Sequence, residues 1–93
     1  MREITKFYID GKWVEAADPV LLDVINPATE QVAGHVAIGN AQDVDIAVTA
    51  ARRAFADWSR TTVAERVDAL NAIIAEYQKR MGDLAAAVTE EMG

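Results

Sequence analysis

Alternation of apolar and polar residues predicts that residues 1–39 form strands and turns. Two β-prone runs, KFYI and KWV, flank Asp10-Gly11, and this dipeptide supplies the positive φ angles that a two-residue type I′ turn needs. Pairing across such a turn sets Tyr8 opposite Trp13, so the two rings should share one face of a β-hairpin. The runs VLLDVI and VAGHVAI, which stand on either side of an Asn-Pro turn, predict a second pair of strands.

At Asn40 the period of the pattern changes from two to about 3.6 residues, which predicts that residues 40–93 are helical. Asn40 can cap the first helix, and Asp43 lies in its first turn. The apolar stripe of this helix consists of Val44, Ala47, Val48, Ala51, Phe55 and Trp58. One stripe of this kind is typical of a helix that is covered along a single face.

Helix-start signals predict two further helices. Thr62 followed three residues later by Glu65 matches a capping box, and two basic residues before Gly82 predict the end of the second helix. Asp83 is expected to cap the third helix. The apolar stripes are Val63, Val67, Leu70, Ile74, Tyr77 and Met81 in the second helix, and Leu84, Val88 and Met92 in the third. We expect the first two helices to pack through facing stripes that include Phe55, Trp58, Leu70 and Ile74.

Composition and charge narrow the class of protein. The 93 residues are 52% hydrophobic and 26% charged, as in soluble globular domains. Fifteen acidic against nine basic side chains give a net charge of -6, which argues against nucleic acids and anionic membranes as partners. These residues include no cysteine and therefore no disulfide framework, thiolate nucleophile or cysteine metal site. The first residues lack the apolar run of a signal peptide, so we expect a cytoplasmic protein.

The polar residues do not predict a catalytic site. His35 is the single histidine and has no nucleophile or second ligand beside it, so a structural or exposed role is favoured. Glu90 and Glu91 diverge by about 100° on a helix and do not form a facing acid–base pair. The arginines that could bind an anion are Arg52, Arg53 and Arg66. Nearby Asp57 and Glu65 could satisfy these arginines equally well in ion pairs.

Three motifs follow one another in an informative order. They are Asn26-Pro27-Ala28-Thr29, the run AARRAF with Trp58, and Glu65-Arg66. In this order they resemble the amino-terminal region of the NAD(P)-dependent aldehyde dehydrogenase superfamily, over essentially the whole chain. One departure is Glu30, where the family often has glycine, so the turn needs either a strained non-glycine residue or a different geometry. The resemblance implies an α/β fold for the whole enzyme, to which this chain contributes β-hairpins followed by three α-helices.

The resemblance also implies a role. Residues 1–93 would form the amino-terminal part of the cofactor-binding domain of an enzyme that oxidises an aldehyde to a carboxylic acid with NAD or NADP. In the family a cysteine thiolate attacks the aldehyde, hydride passes to the nicotinamide, and water releases the acid. Those catalytic and cofactor-binding groups lie outside this segment, so we expect no tightly bound cofactor here. The segment is expected to be scaffold that contacts the remainder of the dehydrogenase chain, in a homo-oligomer.

One candidate metal site follows from the same resemblance. Glu90 and Glu91 lie in the last turn of a helix, where the macrodipole already disfavours anions, so some compensation of their charge is expected. Some family members bind potassium or sodium through main-chain oxygens just before the Asn-Pro pair and through an acidic residue near the end of this helix. Those positions match Val24, Ile25 and Glu91. The alternative is a solvated glutamate beside an ordinary turn.

A second class of function stays open on the sequence alone. The chain could be a free-standing, acidic interaction module with no catalysis, in which an exposed Trp13, Phe55 or Trp58 contacts a partner. Such a module should be a compact monomer that does not bind a hydrophobic dye. The coding sequence beyond Gly93 would distinguish the two hypotheses.

Overall fold

The computed structural model describes residues 2–93 as five strands followed by three helices. The strands are β1 (Arg2–Ile4), β2 (Lys6–Ile9), β3 (Lys12–Glu15), β4 (Val20–Asn26) and β5 (Gln31–Ile38). The helices are α1 (Ala41–Trp58), α2 (Val63–Lys79) and α3 (Met81–Met92). The predicted change from strands to helices near residue 40 is confirmed.

The first hairpin, β2–β3, has the predicted turn and register. Asp10 and Gly11 both have positive φ, 56° and 75°, as a type I′ turn requires. Tyr8 pairs with Trp13, and the centroids of their rings lie 5.1 Å apart. Both rings stay exposed, whereas Phe7 on the opposite face is half-buried. The hairpin therefore turns its less aromatic face toward the rest of the chain.

The second hairpin, β4–β5, is closed by a tight turn that contains a left-handed residue. The Glu30 N–H donates to the Asn26 carbonyl at 2.8 Å, and the Ala28 N–H donates to Asn26 Oδ1 at 2.9 Å. Glu30 has φ 59°. Of the two geometries open to a turn without glycine, the chain uses the strained one, at a cost of about 1 kcal/mol.

Strand β1 makes a pairing that the sequence pattern did not predict. It runs parallel to β5, and the resulting sheet has the order β1-β5-β4. Arg2 lies opposite Gly34, and a Cβ atom on Gly34 would overlap the Arg2 carbonyl oxygen. The close approach of the two backbones at this point therefore requires glycine.

Hydrogen bonds at the helix starts match the capping predictions for α1 and α2. Asn40 Oδ1 accepts from the Asp43 N–H, and Asp43 Oδ2 accepts from the Asn40 N–H. Asp43 is only 6% exposed, and its Oδ1 also accepts from the Ala17 N–H at 2.8 Å, which ties the β3–β4 connection to α1. Thr62 and Glu65 form the second capping box.

The predicted start of α3 is wrong. Arg80 is the single non-helical residue between α2 and α3, with φ -108° and ψ 7°. Because the chain returns to helix at once, Met81 opens α3 instead of ending α2, and Gly82 lies inside α3. Asp83 sits in the first turn, where its carboxylate accepts from Arg80 Nε at 2.8 Å instead of capping the helix.

Within residues 2–93, the apolar stripes of the helices are largely uncovered. Phe55, Trp58, Leu70 and Ile74 are each between 52% and 59% exposed. The prediction that α1 and α2 pack through facing stripes is therefore wrong for this chain. Among the described residues, the hydrophobic side chains that are less than a tenth exposed are Ala16 and Ala33.

The surface area and the shape of the chain also show that the helices are not packed into a compact domain. The accessible surface is 7410 Å², whereas a compact protein of this mass exposes about 5,300 Å². The Cα radius of gyration is 16.9 Å, against about 12 Å for a compact domain of this length. The chain is an extended, flat body of 49 × 34 × 16 Å whose helices lack a common core.

We predict that Gly34→Ala lowers the free energy of unfolding by about 1–3 kcal/mol, because the added methyl group separates β1 from β5. Gly82→Ala is the matched control, since a Cβ there meets no described heavy atom within 4 Å and alanine favours helix. Urea unfolding of the wild type and of both variants measures the change in the free energy of unfolding. Equal stability of the two variants would contradict the close-approach argument.

Candidate functional site

One face of the β1-β5-β4 sheet carries a row of three ionisable side chains. Glu3, His35 and Asp23 occupy matching positions on the three adjacent strands. His35 Nδ1 lies 2.7 Å from Glu3 Oε1, and His35 Nε2 lies 3.1 Å from Asp23 Oδ1. Both ring nitrogens thus face a carboxylate, which favours the doubly protonated imidazolium.

These contacts raise the pKa of His35 above its ordinary value of 6.5. The hydrogen bond to the Glu3 carboxylate is the largest cause, desolvation acts in the opposite direction, and the charges of Glu3 and Asp23 add to the rise. The histidine therefore joins three strands through side-chain contacts. This agrees with the structural role favoured from the sequence.

The other face of the sheet carries the candidate cation site and an unexpected arginine. Arg2, Gly34 and Val24 form the next row across the three strands, and the carboxyl end of α3 lies over this row. Arg2 Nη2 donates to Glu90 Oε2 at 2.8 Å, and Arg2 Nη1 donates to Glu91 Oε1 at 3.5 Å. The two glutamates, which do not face one another, share one guanidinium.

Two of the three residues expected to bind a cation lie beside one cavity. Val24 and Glu91 line a cavity of about 30 Å³, roughly the room of one water molecule, together with Arg2. The ladder of β4 and β5 shifts register between Val24 and Ile25, where Ala33 is the extra residue on β5. A shift of this kind interrupts regular backbone pairing. Ile25, the third predicted ligand, does not line this cavity, and the other lining residues are largely apolar.

The other arginines make contacts different from those weighed in the sequence. Arg53 Nη2 donates to Asp10 Oδ2 at 2.7 Å, which fixes the first hairpin to α1. Arg66 donates to Thr61 Oγ1 and to the Trp58 carbonyl, and its guanidinium lies 5.8 Å from the centre of the Trp58 ring. These contacts account for both side chains without a bound anion.

The described part of the chain offers little catalytic chemistry. Among residues 2–93, no group of three or more His, Cys, Asp or Glu side chains is arranged to hold a metal ion. The same residues contain no helix of sufficient length and hydropathy to span a bilayer. The ionisable clusters join strands and helix ends through ion pairs and hydrogen bonds.

Comparison with known proteins decides the family. A family model for the aldehyde dehydrogenase family matches residues 13–93. The chain belongs to this family. The match bears out the resemblance drawn from the Asn-Pro turn, the AARRAF run and Glu65-Arg66.

Relatives among the aldehyde dehydrogenases match the whole chain. A homologue assigned to this enzyme class in Staphylococcus saprophyticus is 50% identical over 93 residues, which are 100% of this chain and 20% of the relative. The 3-succinoylsemialdehyde-pyridine dehydrogenase of a Pseudomonas species is 44% identical with the same coverage. The chain thus spans about a fifth of the length of these relatives.

Solved aldehyde dehydrogenase structures contain the same arrangement of elements. The enzyme from Bartonella henselae superposes with a TM-score of 0.94 at 36% identity, over 97% of this chain and 19% of that one. Aldehyde dehydrogenase C from Pseudomonas syringae, crystallised with NAD+ and octanal, gives 0.89 at 48% identity, over 92% and 18%. These matches confirm strands followed by three helices as part of an α/β aldehyde dehydrogenase fold.

Arg2 is the residue at this site that sequence reasoning missed. Its two acidic partners are more than 85 positions away in the chain. The available signal was the unexplained pair of acidic residues at a helix carboxyl end, which the sequence analysis assigned to a bound ion. The structure shows that a side chain of the same protein supplies a cation there.

We predict that the stabilising effect of His35 weakens as the pH rises above 6.5. Since the pKa is higher in the folded state, the stabilisation is complete below the ordinary value and is lost as the pH passes the folded-state pKa. The measurement is the difference in unfolding midpoint between the wild type and His35→Asn across this range. Titrating groups away from the Glu3-His35-Asp23 row cancel in that difference, so an advantage that grows with pH would contradict the assignment.

Proposed function

We propose that this segment is the amino-terminal part of the cofactor-binding domain of an NAD(P)-dependent aldehyde dehydrogenase that oxidises an aldehyde to a carboxylic acid. The observation that carries the proposal is the family match over residues 13–93. The segment acts as scaffold. Its described side chains stabilise strands and helix ends, and the chemistry belongs to the remainder of the dehydrogenase chain.

The uncovered apolar surface supports this division of labour. Large apolar side chains are exposed along all three helices and on β4, among them Leu21, Leu22, Phe55, Leu70 and Val88. Monomeric proteins rarely expose contiguous apolar surface on this scale. The partner that we propose for these faces is the remainder of the same polypeptide. A free-standing module with one aromatic contact, at Trp13, Phe55 or Trp58, does not account for exposure on every helix.

The cofactor and setting of the full-length protein are part of the proposal. NAD is supported by the Pseudomonas syringae relative, whose structure contains NAD+, and NADP is the alternative. We further propose a cytoplasmic homo-oligomer. The acidic charge and the apolar faces of α1–α3 are compatible with both, and neither nucleic acid nor membrane is a proposed partner.

A monovalent cation site formed by Val24, Ile25 and Glu91 completes the proposal. Support comes from the register shift at the two strand residues and from the cavity shared by Val24 and Glu91. Potassium or sodium would be held by backbone carbonyl oxygens and one carboxylate oxygen, and would neutralise the carboxyl end of α3. Its role would be structural, because no reacting group lies nearby among the described residues.

The isolated segment should neither oxidise aldehydes nor bind NAD or NADP with micromolar affinity. It should also bind a hydrophobic dye and self-associate, because its apolar faces lack their cover. Calorimetry with NAD and NADP tests nucleotide binding. Fluorescence of the dye tests exposure of the apolar faces, and light scattering tests self-association. Saturable micromolar nucleotide binding would place the cofactor site within the segment, and a monodisperse monomer that ignores the dye would favour the interaction module.

The full-length dehydrogenase should melt at a lower temperature when potassium or sodium is replaced by tetramethylammonium at constant ionic strength. Tetramethylammonium is the replacement because its charge is shielded by four methyl groups, so it cannot take carbonyl and carboxylate oxygens as close ligands. Glu91→Ala should remove the dependence on the ion, because it deletes the carboxylate ligand. A wild-type melting temperature that is the same in both salts would eliminate the cation site.

A further inference from the structure

The turn of the first hairpin places an aspartate before a glycine in an open position. Asp10 and Gly11 have φ angles of 56° and 75°, and the Asp10 side chain is 53% exposed. A Cβ atom on Gly11 would meet no described heavy atom within 4 Å. Among residues 2–93, therefore, no neighbouring group covers this side of the peptide bond that joins the two residues.

An aspartate followed by glycine can react with its own backbone. The glycine nitrogen attacks the Cγ atom of the aspartate and loses its proton, a bond forms between the nitrogen and Cγ, and a carboxyl oxygen leaves as water. The product is a succinimide ring. Glycine favours this attack because it has no side chain beside the nitrogen and restricts the backbone least. Water then opens the ring at either carbonyl carbon, which gives aspartate again or isoaspartate without a change in mass.

The Gly11 nitrogen is not engaged by the strand ladder of its hairpin. The last paired residues before the turn are Ile9 and Lys12, and in a two-residue turn the ladder hydrogen bonds are made by these flanking residues. The nitrogen that would attack Asp10 is therefore not held in place by a ladder hydrogen bond.

One side-chain contact restrains Asp10. Arg53 Nη2, on α1, donates to Asp10 Oδ2 at 2.7 Å, the length of a charge-assisted hydrogen bond. Ring closure requires rotation about bonds of Asp10 until Cγ reaches the Gly11 nitrogen. The contact with Arg53 opposes this rotation, because it fixes one carboxylate oxygen to the helix. Both side chains are more than half exposed, so the restraint is a weak one.

We propose that Asp10-Gly11 is a site of spontaneous isomerisation to isoaspartate and that the ion pair with Arg53 slows this reaction. The inference does not depend on the dehydrogenase function proposed above. Isoaspartate routes the main chain through Cβ and Cγ and leaves the former backbone carbonyl carbon as a free carboxylate. A two-residue turn with this longer backbone cannot keep the register of the hairpin, so the pairing of Tyr8 with Trp13 is lost.

Three substitutions isolate the role of each group. Arg53→Gln removes the restraint and should raise the rate of isoaspartate formation at residue 10 by about 1.5- to fivefold, the factor that an exposed ion pair supports. Arg52→Gln is the matched control, because it removes the same charge from a guanidinium that lies over the Phe55 ring, and it should leave the rate unchanged. Asp10→Glu should abolish the product, because the longer side chain would have to close a larger and less favourable ring.

The measurement is the fraction of isoaspartate at residue 10 during prolonged incubation of the folded, full-length protein. Fragmentation mass spectrometry of the proteolytic peptide locates the isoaspartate, and enzymatic methylation of the new carboxylate quantifies it. Asp23-Val24 in the same samples is the internal reference, since the branched valine side chain obstructs attack by its nitrogen. A sample unfolded in urea gives the rate without any restraint from the fold.

Accumulation of isoaspartate at residue 10 that is faster in Arg53→Gln than in the wild type and in Arg52→Gln would support the proposal. Equal rates in the wild type and Arg53→Gln would overturn the role of the ion pair. If neither protein forms isoaspartate at residue 10 over a period in which the urea-unfolded sample does, the folded turn excludes the reaction and the whole proposal is wrong.

Discussion

Burial of apolar surface is the main stabilising term in folded proteins, and this segment achieves little of it by itself. Each helix has a regular apolar stripe, yet most side chains in those stripes are half exposed or more, and among residues 2–93 the buried hydrophobic residues are two alanines. The extended shape follows, because nothing within the segment draws α1, α2 and α3 around a common core.

Polar contacts hold the elements in their relative positions in the absence of that core. Asp43 connects α1 to the β3–β4 connection, Arg53 connects α1 to the first hairpin, and Arg2 connects β1 to α3. Exposed ion pairs each contribute only about 0.2–1 kcal/mol. These contacts therefore select one arrangement of the elements but contribute little to its stability.

The features that could be predicted from sequence are those encoded within a few residues. Asp10-Gly11 dictates its turn through the φ angles it allows, and the capping boxes at Asn40 and Thr62 need only a partner three residues away. Comparison with the family pattern identified the conflict at Glu30, where the chain adopts a positive φ without glycine. By contrast, the predicted start of α3 was wrong, because Asp83 forms an ion pair with Arg80 inside the first turn and does not cap the helix.

The features that could not be predicted depend on long-range pairing. An apolar stripe indicates that a helix face will be covered but not by what, so the expected packing of α1 on α2 was wrong. For the candidate site, the family resemblance singled out Val24, Ile25 and Glu91, and the structure brings Val24 and Glu91 to one cavity. The sequence pattern could not reveal Arg2, because a three-residue parallel strand has no periodicity that specifies its partner.

The separation of Arg2 from Glu90, 88 positions along the chain, has a consequence for protein synthesis. A nascent chain leaves the ribosome from its amino terminus, at about 5–20 residues per second. For several seconds, then, β1 and the edge of β5 are outside the ribosome while the helix end that holds Arg2 has not yet emerged. An uncovered strand edge is prone to pairing with other chains. The pairing at Gly34 and the Glu3–His35 contact, which need only the first 35 residues, can protect that edge during the interval.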